Sequence, residues 1–206
     1  DTLIQQLTEK LPYPLTGDQR RSIGEIVADM ASPLPMRRVL SGDVGSGKTL
    51  PIMIAALATQ HLGHRAVILT PNGLLADQFV KECKALFGED SLVMSVTSGT
   101  KKLDLSSNPI LVGTTALLSR LKGETPPALF CVDEEQKMSV SQKIELTGFA
   151  SNYLQATATP IPRTTALITH GVMDVSVLKE MPVVKNITTH IVTAGERKRL
   201  FDHTRK

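Results

Sequence analysis

The chain has 206 residues, of which 41% are hydrophobic and 21% are charged, with a formal net charge of +3. This length supports one sizeable hydrophobic core, and the charge is compatible with a nucleic-acid partner without requiring one. Aromatic residues make up only 3% of the chain, which argues against the broad stacking platform on which single-strand nucleic-acid binders depend.

Cysteine usage and apolar runs indicate a protein of the cell interior. Cys83 and Cys131 are isolated, so neither a disulfide framework nor a metal knuckle is predicted. No apolar run reaches the roughly 18 to 20 residues that a membrane helix needs, and the N-terminus lacks a signal-peptide pattern. We therefore expect a cytoplasmic protein without a membrane partner. Because the chain begins at Asp1 and stops within a charged helical pattern, we also expect a piece of a longer protein.

Taken in chain order, the patterns begin with two helices, at residues 2–11 and 16–31, and Pro33 and Pro35 end the second. Strands are predicted at 38–41, 65–70, 92–96, 110–113, 128–133, 152–157, 175–178 and 188–192. Helices are predicted at 48–61, 74–87, 115–121, 140–146 and 162–169. This alternation predicts an α/β fold, a mostly parallel sheet with helices on both faces.

The densest run of glycine and small polar residues, GDVGSGKT, follows the first predicted strand. Its spacing satisfies the G-x-x-x-x-G-K-[ST] pattern of the P-loop. Glycines turn backbone N–H groups toward a phosphate, the Lys48 ammonium would reach the outer phosphates, and the Thr49 hydroxyl would ligate Mg²⁺. A plain glycine turn is the alternative. The predicted nucleotide-binding residues here are Gly42, Asp43, Val44, Gly45, Ser46, Gly47, Lys48 and Thr49.

Two adjacent acids, Asp133 and Glu134, follow the apolar strand predicted at 128–133. An acid at the carboxyl end of a parallel strand lies beside the P-loop, where Asp133 can hold the metal and its water shell. A second carboxylate directly after it, Glu134, can orient and deprotonate an attacking water. A solvated turn also explains adjacent acids, but the P-loop favours catalysis. We therefore predict Lys48, Asp133 and Glu134 as catalytic residues, Thr49 and Asp133 as metal ligands, and hydrolysis rather than phosphate transfer.

Five motifs together carry a family resemblance: LTGDQ from Leu15, GDVGSGKT from Gly42, VDEEQ from Val132, TATPIPRT from Thr157 and GVMDVSVLKEMP from Gly171. They resemble the first RecA-like motor domain of RecG-type helicases of superfamily 2, and they are also similar to Mfd translocases. The resemblance implies a RecA-like P-loop NTPase domain that uses ATP and Mg²⁺. It implies a nucleoid-associated parent that remodels or unwinds branched or forked DNA in repair and recombination.

The resemblance also divides the chain and adds site residues. Residues 1–35 would be lead-in helices with an adenine-reading motif, 36–193 the ATP-binding domain, and 194–206 the start of a linker to a second motor domain. Gln19 would read adenine, although Thr16 and Gln19 also fit a helix capping box. Four residues at strand ends would contact the DNA backbone, and Thr70 is alternatively a helix cap. The backbone-contact residues are Thr70, Pro71, Gly113 and Thr114; the residues coupling nucleotide state to DNA are Thr157 and Thr159.

The resemblance further implies that the second RecA-like domain supplies an arginine finger, which contributes about 10³ to 10⁵ in rate in related NTPases. We therefore expect this chain alone to bind ATP and Mg²⁺ weakly or moderately and to hydrolyse ATP very slowly. A degenerate nucleotide-dependent module, which binds DNA or protein without motor activity, is the alternative function.

Overall fold

We describe the fold from a computed structural model, which covers residues 2–97, 99–100, 103–134, 150–158, 162–183 and 195. Within these residues the chain forms six helices and seven strands. The helices are α1 Thr2–Glu9, α2 Gly17–Met30, α3 Thr49–His61, α4 Gly73–Phe87, α5 Ala116–Arg120 and α6 Pro162–Thr169. The strands are β1 Arg37–Gly42, β2 Ala66–Leu69, β3 Val93–Val96, β4 Ile110–Gly113, β5 Leu129–Asp133, β6 Asn152–Thr157 and β7 Asp174–Leu178.

All seven strands run parallel in a single sheet with the order β3-β4-β2-β5-β6-β1-β7. Parallel strands need crossover connections, and α3, α4, α5 and α6 lie in four of these connections. Because the strands are parallel, the carboxyl ends of β1, β5 and β6 lie at the same edge of the sheet. The predicted parallel α/β architecture is confirmed.

The hydrophobic core lies on both faces of the sheet, because successive side chains of a strand point to opposite faces. Leu40 and Ile68 pack in the layer that contains α1 to α4. Their chain neighbours Val39 and Val67 pack with α5 and with Ile168 of α6. Helix α3 is buried along nearly its whole length, in keeping with a sequence that is apolar on all sides.

The predicted elements within the described residues are all present, and their ends differ by no more than two residues from the prediction. Helix α4 begins at Gly73 because Asn72 caps it: the Asn72 side-chain oxygen accepts the Leu75 N–H at 3.0 Å. The predicted helix 140–146, the predicted strand 188–192 and nearly all of the predicted linker 194–206 lie outside the described residues. No helix in the described part of the chain combines the length and apolar character needed to span a bilayer.

Candidate nucleotide site

The predicted P-loop connects β1 to α3 and adopts a conformation that requires glycine. Gly45 and Gly47 have φ angles of 92° and 80°, in the left-handed region that glycine enters without steric cost. A Cβ atom on Gly42 would lie 2.6 Å from the Ser46 hydroxyl oxygen and 2.9 Å from the Leu178 carbonyl oxygen. The backbone at Gly42 is therefore tightly packed against the Ser46 side chain of the same loop and against Leu178 at the end of β7.

The Lys48 ammonium is folded onto the loop that carries it. Its Nζ donates to the carbonyl oxygens of Gly42 at 2.5 Å and Asp43 at 3.1 Å. Burial lowers the pKa of Lys48, and the negative charges of Asp133, Glu134 and Asp43 partly offset this effect. Among the described residues Lys48 forms no ion pair. A half-buried cation held only by carbonyl groups is well suited to accept an anionic ligand.

Asp133 ends β5, and Glu134 follows it in a strained conformation. The Glu134 N–H donates to the Ala156 carbonyl at 3.0 Å, and its φ of 64° is unusual for a residue other than glycine. Burial raises the pKa of Asp133, the Glu134 charge raises it further, and Lys48 lowers it. The charges of Lys48 and the two acids influence one another, so these groups lie near each other, while their catalytic roles stay a prediction.

Strand β6 separates the P-loop strand from the acidic strand. Its register pairs Ala156 with Asp133 on one side and Thr157 with Ser41 on the other. Thr157 is buried and lies at the sheet edge between the two halves of the site. This position is compatible with the coupling role predicted for Thr157, whereas the predicted partner Thr159 lies outside the described residues.

Gln19 forms the capping box and also reaches the P-loop. Its N–H donates to the Thr16 hydroxyl at 3.1 Å, and its side-chain oxygen accepts the Thr16 N–H at 3.0 Å. The other side-chain atom, Nε2, donates to the Gly47 carbonyl at 3.3 Å. The capping interpretation is confirmed, and adenine reading by Gln19 stays a prediction. The contact with Gly47 joins α2 to the P-loop, which sequence patterns alone did not indicate.

Asp18 is a buried residue that sequence reasoning missed. Its carboxylate accepts the N–H groups of Lys179 at 2.7 Å and Glu180 at 2.9 Å and pairs with Arg21 at 2.6 Å. These two hydrogen bonds hold the pKa of Asp18 below its ordinary value, and the bond from Glu180 has the larger effect. An acid in the first turn of a helix is commonplace, so nothing in the sequence signalled a partner more than 160 residues away.

The four residues predicted to contact DNA lie together at the ends of β2 and β4. The Thr70 N–H donates to the Gly113 carbonyl at 2.8 Å, and the Thr70 hydroxyl donates to the Asn72 carbonyl at 2.9 Å. Thr70 is buried and does not cap α4, while Thr114 is half-exposed. A cleft of about 30 Å³ joins this region to the acidic pair; its lining residues are Leu69, Thr70, Pro71, Thr115, Val132, Asp133 and Glu134.

Comparison with known proteins identifies the domain that this geometry belongs to. Residues 16–169, more than half of the chain, match the family described as DEAD/DEAH box helicase. The chain belongs to this helicase family. It is 35% identical over 217 residues to the ATP-dependent DNA helicase RecG of Synechocystis sp. and 39% identical over 202 residues to that of Bacillus subtilis. The resemblance to RecG-type helicases is confirmed.

The relatives are longer proteins, and the helicase domain corresponds to one part of them. The matches cover 99% and 92% of this chain but only 26% and 30% of the Synechocystis and Bacillus relatives. Among solved structures, the helicase domain of Pyrococcus furiosus Hef superposes with a TM-score of 0.61 at 18% identity. That match covers 84% of this chain and 40% of the Hef chain, and it supports the predicted RecA-like fold.

The donor atoms of this helicase domain fit a nucleotide with a divalent cation. The described residues contain no group of three or more His, Cys, Asp or Glu side chains that would form an all-protein metal site. Mg²⁺ commonly uses one or two protein ligands together with phosphate oxygens and water. The Thr49 hydroxyl and the Asp133 carboxylate offer oxygen donors of this kind, and burial raises the pKa of Asp133, so a nearby cation would favour its charged form. Their role as metal ligands stays a prediction.

Proposed function

We propose that this helicase domain is the ATP-binding motor domain of a translocase that remodels or unwinds branched duplex DNA. The observation that carries the proposal is that the half-buried Lys48, after β1, and the acids Asp133 and Glu134, at the end of β5, lie at the same edge of the parallel sheet, where the acids influence the pKa of Lys48. The relatives named ATP-dependent DNA helicase RecG support the choice of ATP and DNA. A role in repair and recombination, on the nucleoid of the cytoplasm, belongs to the same proposal.

The residues of the site divide the chemistry of hydrolysis among them. Lys48 exchanges the carbonyl groups of its own loop for phosphate oxygens, and the P-loop N–H groups hold the remaining phosphate charge. Thr49 and Asp133 hold Mg²⁺, which supplies charge neutralisation at the phosphates. Glu134 orients the attacking water and accepts its proton. The left-handed backbone conformation of Glu134 sets the position from which its side chain extends.

A second RecA-like domain of the same parent chain would complete this site. We propose that this partner supplies the arginine that stabilises charge in the transition state, a contribution of about 10³ to 10⁵ in rate in related NTPases. The helicase domain by itself would therefore bind ATP and hydrolyse it very slowly. Gln19, next to the P-loop at Gly47, would supply the preference for adenine.

The ends of β2 and β4 would hold the DNA backbone. Thr70 is buried and its hydroxyl is bonded within the loop, so its role there is to shape the loop. Thr114 is half-exposed and accepts the Ala116 N–H at a long 3.4 Å, so its hydroxyl is the group available to a phosphate. Contacts of this kind position DNA without reading its sequence.

The decisive experiment measures ATP hydrolysis by the two-domain parent protein, with and without forked DNA, for wild type and Glu134→Gln. We expect forked DNA to stimulate the wild type and Glu134→Gln to reduce turnover by about 10²-fold or more, in the range reported for loss of general-base catalysis. Both proteins should bind the nucleotide and the DNA equally well. Equal inactivity of wild type and variant, with DNA binding retained, would instead identify a nucleotide-dependent binding module.

A further inference from the structure

Residues 179–182 leave the end of β7 and pass beside the P-loop; we call them the exit segment. Lys179 and Glu180 donate their N–H groups to the Asp18 carboxylate at 2.7 and 2.9 Å. In return, the Glu180 carboxylate accepts the Asp18 N–H at 3.3 Å. The start of α2 and the exit segment thus hold each other through three hydrogen bonds, although the outer face of the exit segment is exposed.

The same two elements contact the P-loop. Gln19, the next residue after Asp18, donates to the Gly47 carbonyl. A Cβ atom placed on Gly47 would lie 2.3 Å from Gln19 Nε2 and 3.2 Å from Pro182 Cγ, so both residues press on this glycine. The Leu178 carbonyl closes the other end of the loop, against Gly42. Gly47 therefore lies against α2 and the exit segment at once.

Two features show that this P-loop conformation leaves bonding capacity unused. The Ser46 hydroxyl is fully buried and has no hydrogen-bond partner among the described residues. Lys48 satisfies its charge only with carbonyl groups of the loop. A phosphate that replaced these carbonyls at Lys48 would change the contacts of the loop, and Gly47 lies where such a change would reach the residues packed on it.

Further contacts attach α2 to the sheet, and those of Arg38 do not involve Asp18. Arg38 donates to Asp29 at 2.7 Å and to the Ser176 hydroxyl at 3.0 Å, while Arg21 donates to the Val177 carbonyl at 2.6 Å. The Arg38–Asp29 contact lies near the C-terminal end of α2, whereas Arg21 lies three residues after Asp18 and pairs with it. The Asp18 contact is therefore the local link between the nucleotide site and the exit segment, and Asp29 offers a matched acid on the same helix.

We propose that Asp18 is a positioning residue for the nucleotide, and that nucleotide binding and docking of the exit segment reinforce each other. The proposal rests on ATP binding at the P-loop. By holding the exit segment, Asp18 fixes Pro182 and Gln19 against Gly47 in the arrangement that receives the nucleotide. Thermodynamic reciprocity then requires the bound nucleotide to strengthen the docking of the exit segment by the same factor.

The first test is hydrogen exchange of the wild-type chain, resolved by residue with NMR, before and after saturation with Mg²⁺ and the slowly hydrolysed analogue ATPγS. The Lys179 and Glu180 amides report directly on the bonds to Asp18. We expect the nucleotide to slow their exchange by at least about fivefold, the lower end of typical coupling between sites. The Val39 amide, within β1 and between the neighbouring strands β6 and β7, serves as a reference for global stability. Unchanged exchange at both reporter amides would overturn the proposal.

The second test compares the nucleotide affinity of Asp18→Asn and Asp29→Asn, measured with a fluorescent ATP analogue. Both variants remove one charge from α2, but only Asp18 reaches the exit segment. We expect Asp18→Asn to weaken binding by about five- to tenfold and Asp29→Asn to change it less than twofold. Glu180→Gln alters the carboxylate that accepts the Asp18 N–H. This variant should also weaken nucleotide binding, as Asp18→Asn does.

The outcomes separate this inference from the proposed function. If Lys48→Ala abolishes nucleotide binding while Asp18→Asn and Asp29→Asn bind equally well, the ATP site stands and the positioning role of Asp18 is wrong. If the wild-type chain does not bind the nucleotide at all, both proposals are wrong. If Asp18→Asn loses affinity but the Lys179 and Glu180 amides do not respond to nucleotide, the predicted reciprocity fails and the proposal is overturned.

Discussion

The P-loop and the loops after β2 and β4 lie at the same edge of the sheet but are held in different ways. The P-loop contacts Gln19, 28 residues away, and the residues next to Gln19 contact the exit segment more than 160 residues away. After β2 and β4, the side-chain bonds of Thr70, Asn72 and Thr114 reach backbone groups only two or three residues away, apart from a long second contact of Thr70 with Gly113. The Thr70 N–H also donates to the Gly113 carbonyl, which joins the two neighbouring strand ends to each other. A change at the P-loop should therefore reach α2 and the exit segment, whereas a change at the other loops should stay within the ends of β2 and β4.

The substitution Gly47→Ala should produce the largest effect and spread furthest. A Cβ atom at this position meets Gln19 Nε2 at 2.3 Å, and the φ of 80° disfavours any other residue. We expect nucleotide affinity to fall at least about tenfold and the free energy of unfolding to drop by about 1 to 3 kcal/mol. Nucleotide titration and thermal unfolding measure these effects.

Gly73→Ala is the matched control on the other side of the edge. No atom lies within 4 Å of a Cβ placed on Gly73, which begins α4. Alanine favours a helix over glycine by up to about 1 kcal/mol, so this variant should be as stable as wild type or more stable. If Gly73→Ala reduced nucleotide affinity as strongly as Gly47→Ala, the contrast between the two regions would be wrong.

Asp133→Asn should leave the stability of the fold unchanged or higher while it reduces the dependence of nucleotide binding on Mg²⁺. Because burial raises the pKa of Asp133, the folded state holds the proton more tightly than the unfolded state does. The ionised wild-type carboxyl therefore costs stability as the pH rises above its ordinary value of about 4. At pH 7 we expect Asp133→Asn to melt at the same or a higher temperature than wild type. Its nucleotide affinity should lose most of its dependence on Mg²⁺, and a retained dependence would contradict the metal assignment.

Thr70→Val should have a moderate and local effect. It removes a buried hydroxyl that donates to the Asn72 carbonyl, at a cost of about 1 kcal/mol in the free energy of unfolding. Nucleotide affinity should not change. Thr115→Val, at an exposed neighbouring position, should change the free energy of unfolding by less than about 0.5 kcal/mol. Denaturant titrations of both variants check the comparison, and a large loss of nucleotide affinity in Thr70→Val would contradict it.

The smallest effect should be the pH dependence contributed by Asp18. Its lowered pKa means that the ionised form stabilises the fold above the ordinary pKa of about 4, and that this stabilisation is lost as the pH falls through the lower folded-state pKa. Asp18→Asn should therefore melt below wild type at pH 7, and the two melting temperatures should converge below pH 4. A constant difference between pH 7 and pH 3 would show that the charge of Asp18 is not responsible.

The sequence predicted those parts of the molecule that depend on neighbouring residues. The spacing of Gly42, Gly47, Lys48 and Thr49 predicted the loop after β1, and apolar runs bounded by turns predicted the strands of the parallel sheet. The acid pair after β5 was placed correctly because the ends of parallel strands meet at one edge.

Features set by distant or competing interactions were not predictable in the same way. The partners of Asp18 lie at the far end of the chain, and an acid in a first helical turn needs no such partner to explain it. The left-handed backbone of Glu134 carries no sequence signal, since glycine or asparagine is usual there. Thr70 and Asn72 are both cap-type residues, and only the folded loop shows that Asn72 is the cap.

The most direct test of the central claim is a titration of the chain with a fluorescent ATP analogue, with and without Mg²⁺, for wild type, Lys48→Ala and Lys81→Ala. Lys81 is exposed on α4, so Lys81→Ala removes the same charge as Lys48→Ala but outside the predicted nucleotide site. We expect Mg²⁺-dependent binding by wild type and Lys81→Ala, and a loss of about 10- to 100-fold in Lys48→Ala, as for a charge-assisted hydrogen bond. Equal binding by all three proteins, or none by the wild type, would contradict the assignment of the nucleotide site.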